Sequence, residues 1–165
     1  MDSAVLAAMV KWPKVPAVFG WLALTARGEW RIRGQPIGNA AIREFIGRNY
    51  AGDEAGRWYF QNGPQRVYVS LEAAPWSLRI HAAGATTHNG SRVQVCRGAA
   101  ILDDGRLVLD TELGAGLIDD RDASVVVDAI VDSRGVTMED AELAAMFEGR
   151  AAAFVAAARL GLEGD

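Results

Sequence analysis

Glycine-bearing turns cut this chain into short apolar runs, and that spacing restricts it to a β-rich architecture. Ala26-Arg27-Gly28, Gly34-Gln35-Pro36-Ile37-Gly38, Asp53-Glu54-Ala55-Gly56, Asn62-Gly63-Pro64 and Asp103-Asp104-Gly105 are turn-forming segments. Val18 to Thr25 is an apolar run, and Trp30-Arg31-Ile32-Arg33 alternates with period two, so the pair reads as a hairpin. Arg57 to Gln61 and Gln65 to Leu71 form a second hairpin around Asn62-Gly63-Pro64. There Val67, Val69 and Leu71 share one face, and Arg66, Tyr68 and Ser70 share the other. Trp76 to Ile80 completes this sheet after Pro75, which cannot donate a ladder bond. One helix interrupts the strands. Asn39 caps it, Ile42, Phe45 and Ile46 fall on one face, and Gly47 weakens its end.

With 165 residues, 50% of them hydrophobic and 23% charged, the chain can bury one substantial core or two small ones. Charge favours two. Residues 1–80 hold ten Lys plus Arg against six Asp plus Glu, whereas residues 81–165 hold seven against fifteen, giving the halves net charges of +4 and −8. Eleven of the thirteen aromatics lie at or before Trp76. These shifts predict an aromatic-rich basic unit over 1–80 and an acidic unit over 81–165, joined by the small polar run His81 to Ser91. In the second unit, Val93 to Leu102 and Arg106 to Thr111 flank Asp103-Asp104-Gly105 as a hairpin. Ser124 to Val131 is a β-branched run expected as a buried central strand. From Thr137 the pattern turns helical, with Thr137 and Asp140 as a loose capping box. Leu143, Met146, Phe147, Phe154 and Val155 would supply its apolar stripe, and the Ala-rich run Ala151 to Ala158 suits close packing in a homodimer. The expected class is α+β: two small antiparallel β-rich units with one internal helix and a C-terminal helix. Ala4 to Val10 is too short for a membrane span and lacks a leader's basic segment, so a cytoplasmic protein without a membrane partner is expected.

Three groups of residues could carry chemistry. A lone thiol beside an imidazole can act as a nucleophile, which singles out Cys96 with His81 or His88 and makes a small hydrolase or thiol enzyme one alternative. Cys96, however, lies in the apolar run Val93-Gln94-Val95-Cys96, where a thiol behaves as a small hydrophobe. Asp103, Asp104, Asp119, Asp120 and Asp122 are acidic enough for a hard cation, yet no metal-loop spacing is present and solvated turns account for them. Gly-Lys-Ser and Gly-Lys-Thr are absent. No catalytic, metal or cofactor residues are therefore assigned. The third group is a cationic aromatic face from Trp30, Arg31, Arg33, Arg57, Trp58, Tyr59, Arg66 and Tyr68. Within it, Arg57, Tyr59, Asn62, Gln65, Arg66 and Tyr68 are the expected ligand-binding residues, because hairpin construction explains Asn62-Gly63 but not Gln65 and Arg66. If the hairpin holds register, Arg57, Tyr59, Arg66 and Tyr68 form one patch. Such a patch fits a small anionic ligand or a protein partner. Single-stranded RNA is a further alternative, against which stand the net charge of −4 and the pI near 5.2.

Taken together, GEWRIRGQPIGNAAIREFIGRNY, DEAGRWYF and RVYVSLEAAPWSLRI resemble a bacterial family of uncharacterised proteins built from two small β-domains with helices. The resemblance covers residues 18–131 and rests on Gly28 and Trp30, on Gly34, Pro36 and Ile37, and on Glu72, Ala74 and Pro75. Asn62-Gly63-Pro64-Gln65-Arg66 departs from the family pattern. What the resemblance implies is a two-part β-rich fold with a signalling or binding role and no catalytic residues to carry over. The expected function is that of a non-enzymatic binding or regulatory protein.

Overall fold

The turn chemistry is realised in one repeated loop. At Thr25–Glu29, Asp53–Arg57, Thr87–Ser91, Leu102–Arg106 and Asp132–Val136, the first residue's N–H donates to the fifth's carbonyl, and the fourth residue's N–H donates to the first's carbonyl. The fourth residue is always glycine, with φ between 75° and 85° (Gly28, Gly56, Gly90, Gly105, Gly135). This left-handed backbone follows a tight turn in three-residue hairpin loops, and a Cβ would strain it.

The computed structural model describes residues 1–132, 134–147 and 154–164. The chain divides into two compact units, Met1–Ala73 and Ala74–Asp165. In the first, helix α1 (Ser3–Lys11) precedes strands β1 (Val18–Leu24), β2 (Trp30–Ile32) and β3 (Gln35–Pro36). Helix α2 (Ala40–Arg48) then leads to β4 (Tyr50–Gly52), β5 (Trp58–Asn62) and β6 (Gln65–Leu71). The sheet order is β3-β2-β1-β6-β5-β4: two antiparallel meanders joined by a parallel β1–β6 pair. Asn39 Oδ1 accepts from the Ile42 N–H at 3.2 Å, the expected cap. Ile46 is buried, but Ile42 is 48% exposed, so the helix buries a narrower stripe than its spacing suggests. Phe45 meets Phe60 edge to face, as Trp30 meets Tyr50 at a centroid distance of 5.1 Å, and Trp58 packs tilted on the same Tyr50 ring at 4.8 Å. Fully buried Asn49 ties the unit together. It accepts the Asp2 N–H, donates to Asp2 and to the Phe45 carbonyl, and its own carbonyl accepts the Gln61 N–H.

The second unit contains β7 (Trp76–His81), β8 (Gly84–Thr87), β9 (Arg92–Val93), β10 (Val95–Ile101), β11 (Leu107–Thr111) and β12 (Gly114–Ile118). After them come α3 (Ala123–Val127), β13 (Ile130–Val131), α4 (Asp140–Phe147), β14 (Phe154–Val155) and β15 (Glu163–Gly164). Its main sheet runs β15-β10-β11-β12-β7-β8-β9, with β13 and β14 as a separate pair. Because edge strand β9 continues through Gln94 into β10, the sheet curls on itself, and Gly161, two residues before β15, meets the Gly84 backbone. Among the described residues, no helix is long and apolar enough to cross a membrane.

The α+β class holds, with differences in detail. Both sheets are mixed, with parallel pairs at β1–β6, β7–β12 and β10–β15. Trp76–His81 belongs to the second sheet, so the division falls after Ala73, and the polar run 81–91 is a meander of short strands, not a linker between the units. The run Ser124–Val131 is not one strand. Asp119 Oδ1 accepts the Arg121 N–H and starts a helical turn over Asp120–Asp122 that continues as α3, in which Val126 is fully buried and Val125 is 46% exposed. Helix α4 is described over Asp140–Phe147, while Val155 sits in a strand paired with Ile130, so Leu143 and Val155 do not share a helix face. Residues 151–153 and the side chains of Met146, Phe147 and Phe154 lie outside the described residues. At the start of α4, Glu142 Oε2 accepts the Glu139 N–H, while Thr137 Oγ1 accepts from Arg159. The return bond of a capping box thus falls on Glu139 and Glu142 instead of Thr137 and Asp140.

Gly116 pairs with Trp76 across the parallel β12–β7 ladder, and a Cβ there would come within 2.5 Å of Cγ of fully buried Leu78. Gly116→Ala should therefore cost about 1–3 kcal/mol, the usual penalty for overpacking. Gly98→Ala, where a Cβ meets nothing within 4 Å, should stay within about 0.5 kcal/mol of the parent in urea unfolding. Equal effects at the two positions would show that Leu78 is not locked in place.

Candidate functional site

Pairing across the second hairpin sets which side chains gather on the face opposite α2. Tyr59 faces Tyr68 and Gln61 faces Arg66, so these four share one side, while Phe60 and Val67 share the other with Phe45. Tyr59 and Tyr68 are in edge contact at 5.9 Å. Arg66 lies over the Tyr59 ring at 4.5 Å, and Arg57 lies over the Tyr68 ring at 4.7 Å. The structure thus brings Arg57, Tyr59, Arg66 and Tyr68 together. Asn62 and Gln65 flank the turn as its closing pair, and Gln65 Nε2 donates to the Pro16 carbonyl, away from the patch. Trp30 is buried and Trp58 packs on Tyr50, so neither joins the patch. Arg33 instead covers Trp21 at 3.9 Å.

Asp53 organises the cluster. As first residue of its loop, it accepts the Ala55 and Arg57 N–H groups on Oδ1. Its Oδ2 accepts Arg57 Nε at 2.9 Å and the Tyr68 hydroxyl at 3.1 Å, and Arg57 Nη2 lies 2.8 Å away. Removal from water opposes the charged carboxylate, but the Arg57 side chain, the Arg57 N–H and the Tyr68 hydroxyl outweigh it and bring the acid down to about 2. Sequence reasoning treated Asp53 only as a turn residue, although an arginine four residues on was a usable sign. Phe19 was missed too. It stacks flat on Tyr68 at 4.6 Å, placed there by a bulge in β1 where Gly20 has φ 74°.

A cavity of about 590 Å³ opens beside this cluster, lined by Asp53, Glu54, Ala55, Arg57, Tyr59 and Arg66 together with Gly52. Arg57 is held by Asp53. Arg66 makes no ion pair among the described residues and lies over the Tyr59 ring.

The thiol alternative finds different geometry. Cys96 is buried on β10, and its thiol donates to the Gly98 carbonyl. Burial pushes the thiol above its ordinary value. His88 is pushed down to about 4 by burial, and its Nδ1 accepts the Ser77 N–H, while His81 Nε2 shares a hydrogen bond with Thr86 Oγ1. Neither a Cys96 thiolate nor a His88 imidazolium is favoured near neutrality. The acidic group is also rearranged. Asp119 and Asp122 are buried rather than solvated, and each binds a guanidinium: Asp119 takes Arg121 at 2.6 Å, and Asp122 takes Arg79 at 2.7 Å plus the Ile80 N–H. Among the described residues, no group of three His, Cys, Asp or Glu could hold a metal ion.

Because the folded Asp53 carboxyl ionises near 2 and an unfolded one near 4, its contribution is complete above about pH 5 and is lost as pH falls through 2. Asp53→Asn should destabilise the protein at pH 7, with the deficit against the parent shrinking toward pH 2. Urea unfolding followed by tryptophan fluorescence reads this, since Trp12, Trp21, Trp30 and Trp58 all lie in the first unit. A deficit independent of pH would remove the carboxylate from its assigned role.

A solved structure supports the fold without a role. A DUF1285 family protein from Silicibacter pomeroyi DSS-3 is similar at a TM-score of 0.55 and 18% identity, over 85% of this chain and 87% of that one. A DUF1285 family protein from Shewanella baltica OS155 matches at a TM-score of 0.49 and 18% identity, over 62% of this chain and 87% of that one. No curated protein matches the chain. None of these names states a ligand, a reaction or a signalling role. The family model DUF2944, described as "Protein of unknown function (DUF2946)", matches residues 1–161, so the chain belongs to that uncharacterised family.

Proposed function

We propose that this is a non-enzymatic binding protein whose first unit takes a small anion between Arg66 and Arg57. The observation that carries the reading is Arg66: a guanidinium seated on the Tyr59 ring at the edge of a 590 Å³ cavity, with no ion pair among the described residues. Arg57 adds its Nη1 edge, since its Nε and Nη2 are committed to Asp53 and Tyr68. Planar guanidinium groups suit carboxylate and phosphate oxygens, and a fork prepositioned by Asp53 loses little freedom on binding. Glu54 and Asp53 also line the cavity, so selection rests on hydrogen bonds at contact range.

Two alternatives receive less support. Stacking of RNA bases needs open ring faces, but Phe19 and Arg57 lie on Tyr68 and Arg66 lies on Tyr59. Thiol catalysis needs an ionisable Cys96, whereas burial holds the thiol protonated.

Titration with inorganic phosphate and with acetate, followed by amide chemical shifts at low ionic strength, tests the proposal. Shifts should concentrate at residues 53–57 and 66, and Arg66→Gln should weaken phosphate about 10-fold or more, as expected for a lost charge-assisted hydrogen bond. No saturable shift with either anion, or full affinity in the variant, would overturn the proposal.

A further inference from the structure

Arg57 has a second side. Beyond it lies another cavity of about 430 Å³, lined by Phe19, Gly56, Trp58, Tyr68, Val69 and Leu71 among others, with Arg57 common to both. The two cavities differ in chemistry. The first presents guanidinium and carboxylate groups, and the second is walled mainly by rings and aliphatic residues.

Phe19 is the feature that folding alone does not explain. It is 60% exposed, yet its ring is held parallel to Tyr68 within 6°. A bulge that shifts the β1–β6 register between Val18 and Leu22 sets it there. Trp21, two residues on, is 48% exposed. A large apolar ring kept in water forgoes the burial that elsewhere stabilises the unit.

We infer that the ligand is an amphiphilic organic anion, with its phosphate or carboxylate against Arg66 and Arg57 and its apolar body crossing Arg57 to lie on Phe19. The inference rests on the anion-binding reading and specifies the ligand class of that same site. Small-molecule sites typically pair a few placed polar groups with apolar walls, and each cavity alone falls within the usual size range for such sites.

Two matched probe pairs test it: inorganic phosphate against octyl phosphate below its micelle threshold, and acetate against octanoate. The octyl probes should bind at least 10-fold tighter than their short partners. They should add shifts at Phe19, Gly20, Ser70 and Leu71 to those at 53–57 and 66. Phe19→Ser should narrow the octyl-to-short affinity ratio to below 3-fold, and Arg66→Gln should weaken all bound probes. Since Phe19 is exposed, its variant should keep the parent's unfolding midpoint, which thermal unfolding checks. If phosphate binds and octyl phosphate binds no tighter, the amphiphile inference fails while the anion reading stands. If no probe binds, both fail. If the octyl probes bind but neither variant changes their affinity, they occupy another surface and the inference fails. The stronger of the octyl pairs identifies the head group.

Discussion

The parallel pairing of β1 with β6 is the contact on which the first unit depends. Each meander alone is a three-stranded ribbon with a marginal core. Bringing Leu22 beside Val69 and Leu24 beside Leu71 joins them into six strands and completes the layer beneath α2. That pairing links residues nearly fifty positions apart, so it carries a closure cost that local hairpins do not. Leu22 and Leu24, at 3% and 1% exposure, supply the offsetting burial. The same register brings β1 alongside Tyr68, and the bulge in β1 then sets the exposed Phe19 ring on it.

Three hairpin loops share a device that does two tasks. In Asp53–Arg57 and Asp132–Val136, the aspartate at position one accepts backbone N–H groups with Oδ1 and an arginine with Oδ2. In the 102–106 loop, Asp104 does the same for Arg106. The carboxylate closes the turn and immobilises a guanidinium in one stroke. At Asp53 a tyrosine hydroxyl joins the pair, and the ordered arginine is also laid over that tyrosine's ring. A turn motif becomes a candidate site through what the neighbouring strand presents.

Much of this was legible because hairpins are local. Turn glycines and period-two alternation located β1, β2, β5, β6, β10 and β11, and parity alone placed Arg57, Tyr59, Arg66 and Tyr68 on one face. Non-local choices were not legible. Nothing near Trp76 states that its strand pairs with Gly116 instead of the first sheet, and a β-branched run such as Ser124–Val131 reads as strand until the buried Asp119 is seen starting a helix. Phe19 and Asn49 were missed for a related reason: their roles depend on a bulge and on contacts 47 residues away. Trp30 and Trp58 were assigned to the wrong side because a ring's exposure cannot be inferred from its neighbours' charge.

The charges lining the larger cavity balance formally, Arg57 and Arg66 against Asp53 and Glu54, and the chain as a whole carries −4. A long-range field therefore does little to collect anions, and recognition has to come from short, directed bonds once a ligand is in place. A bare inorganic anion gains only those bonds and gives up its hydration to make them. An anion with an apolar body gains burial against Phe19 as well, at no electrostatic cost. The balance of charge at Arg57 and the exposed ring beyond it thus point to the same kind of ligand: one held by its head through geometry and by its body through exclusion of water.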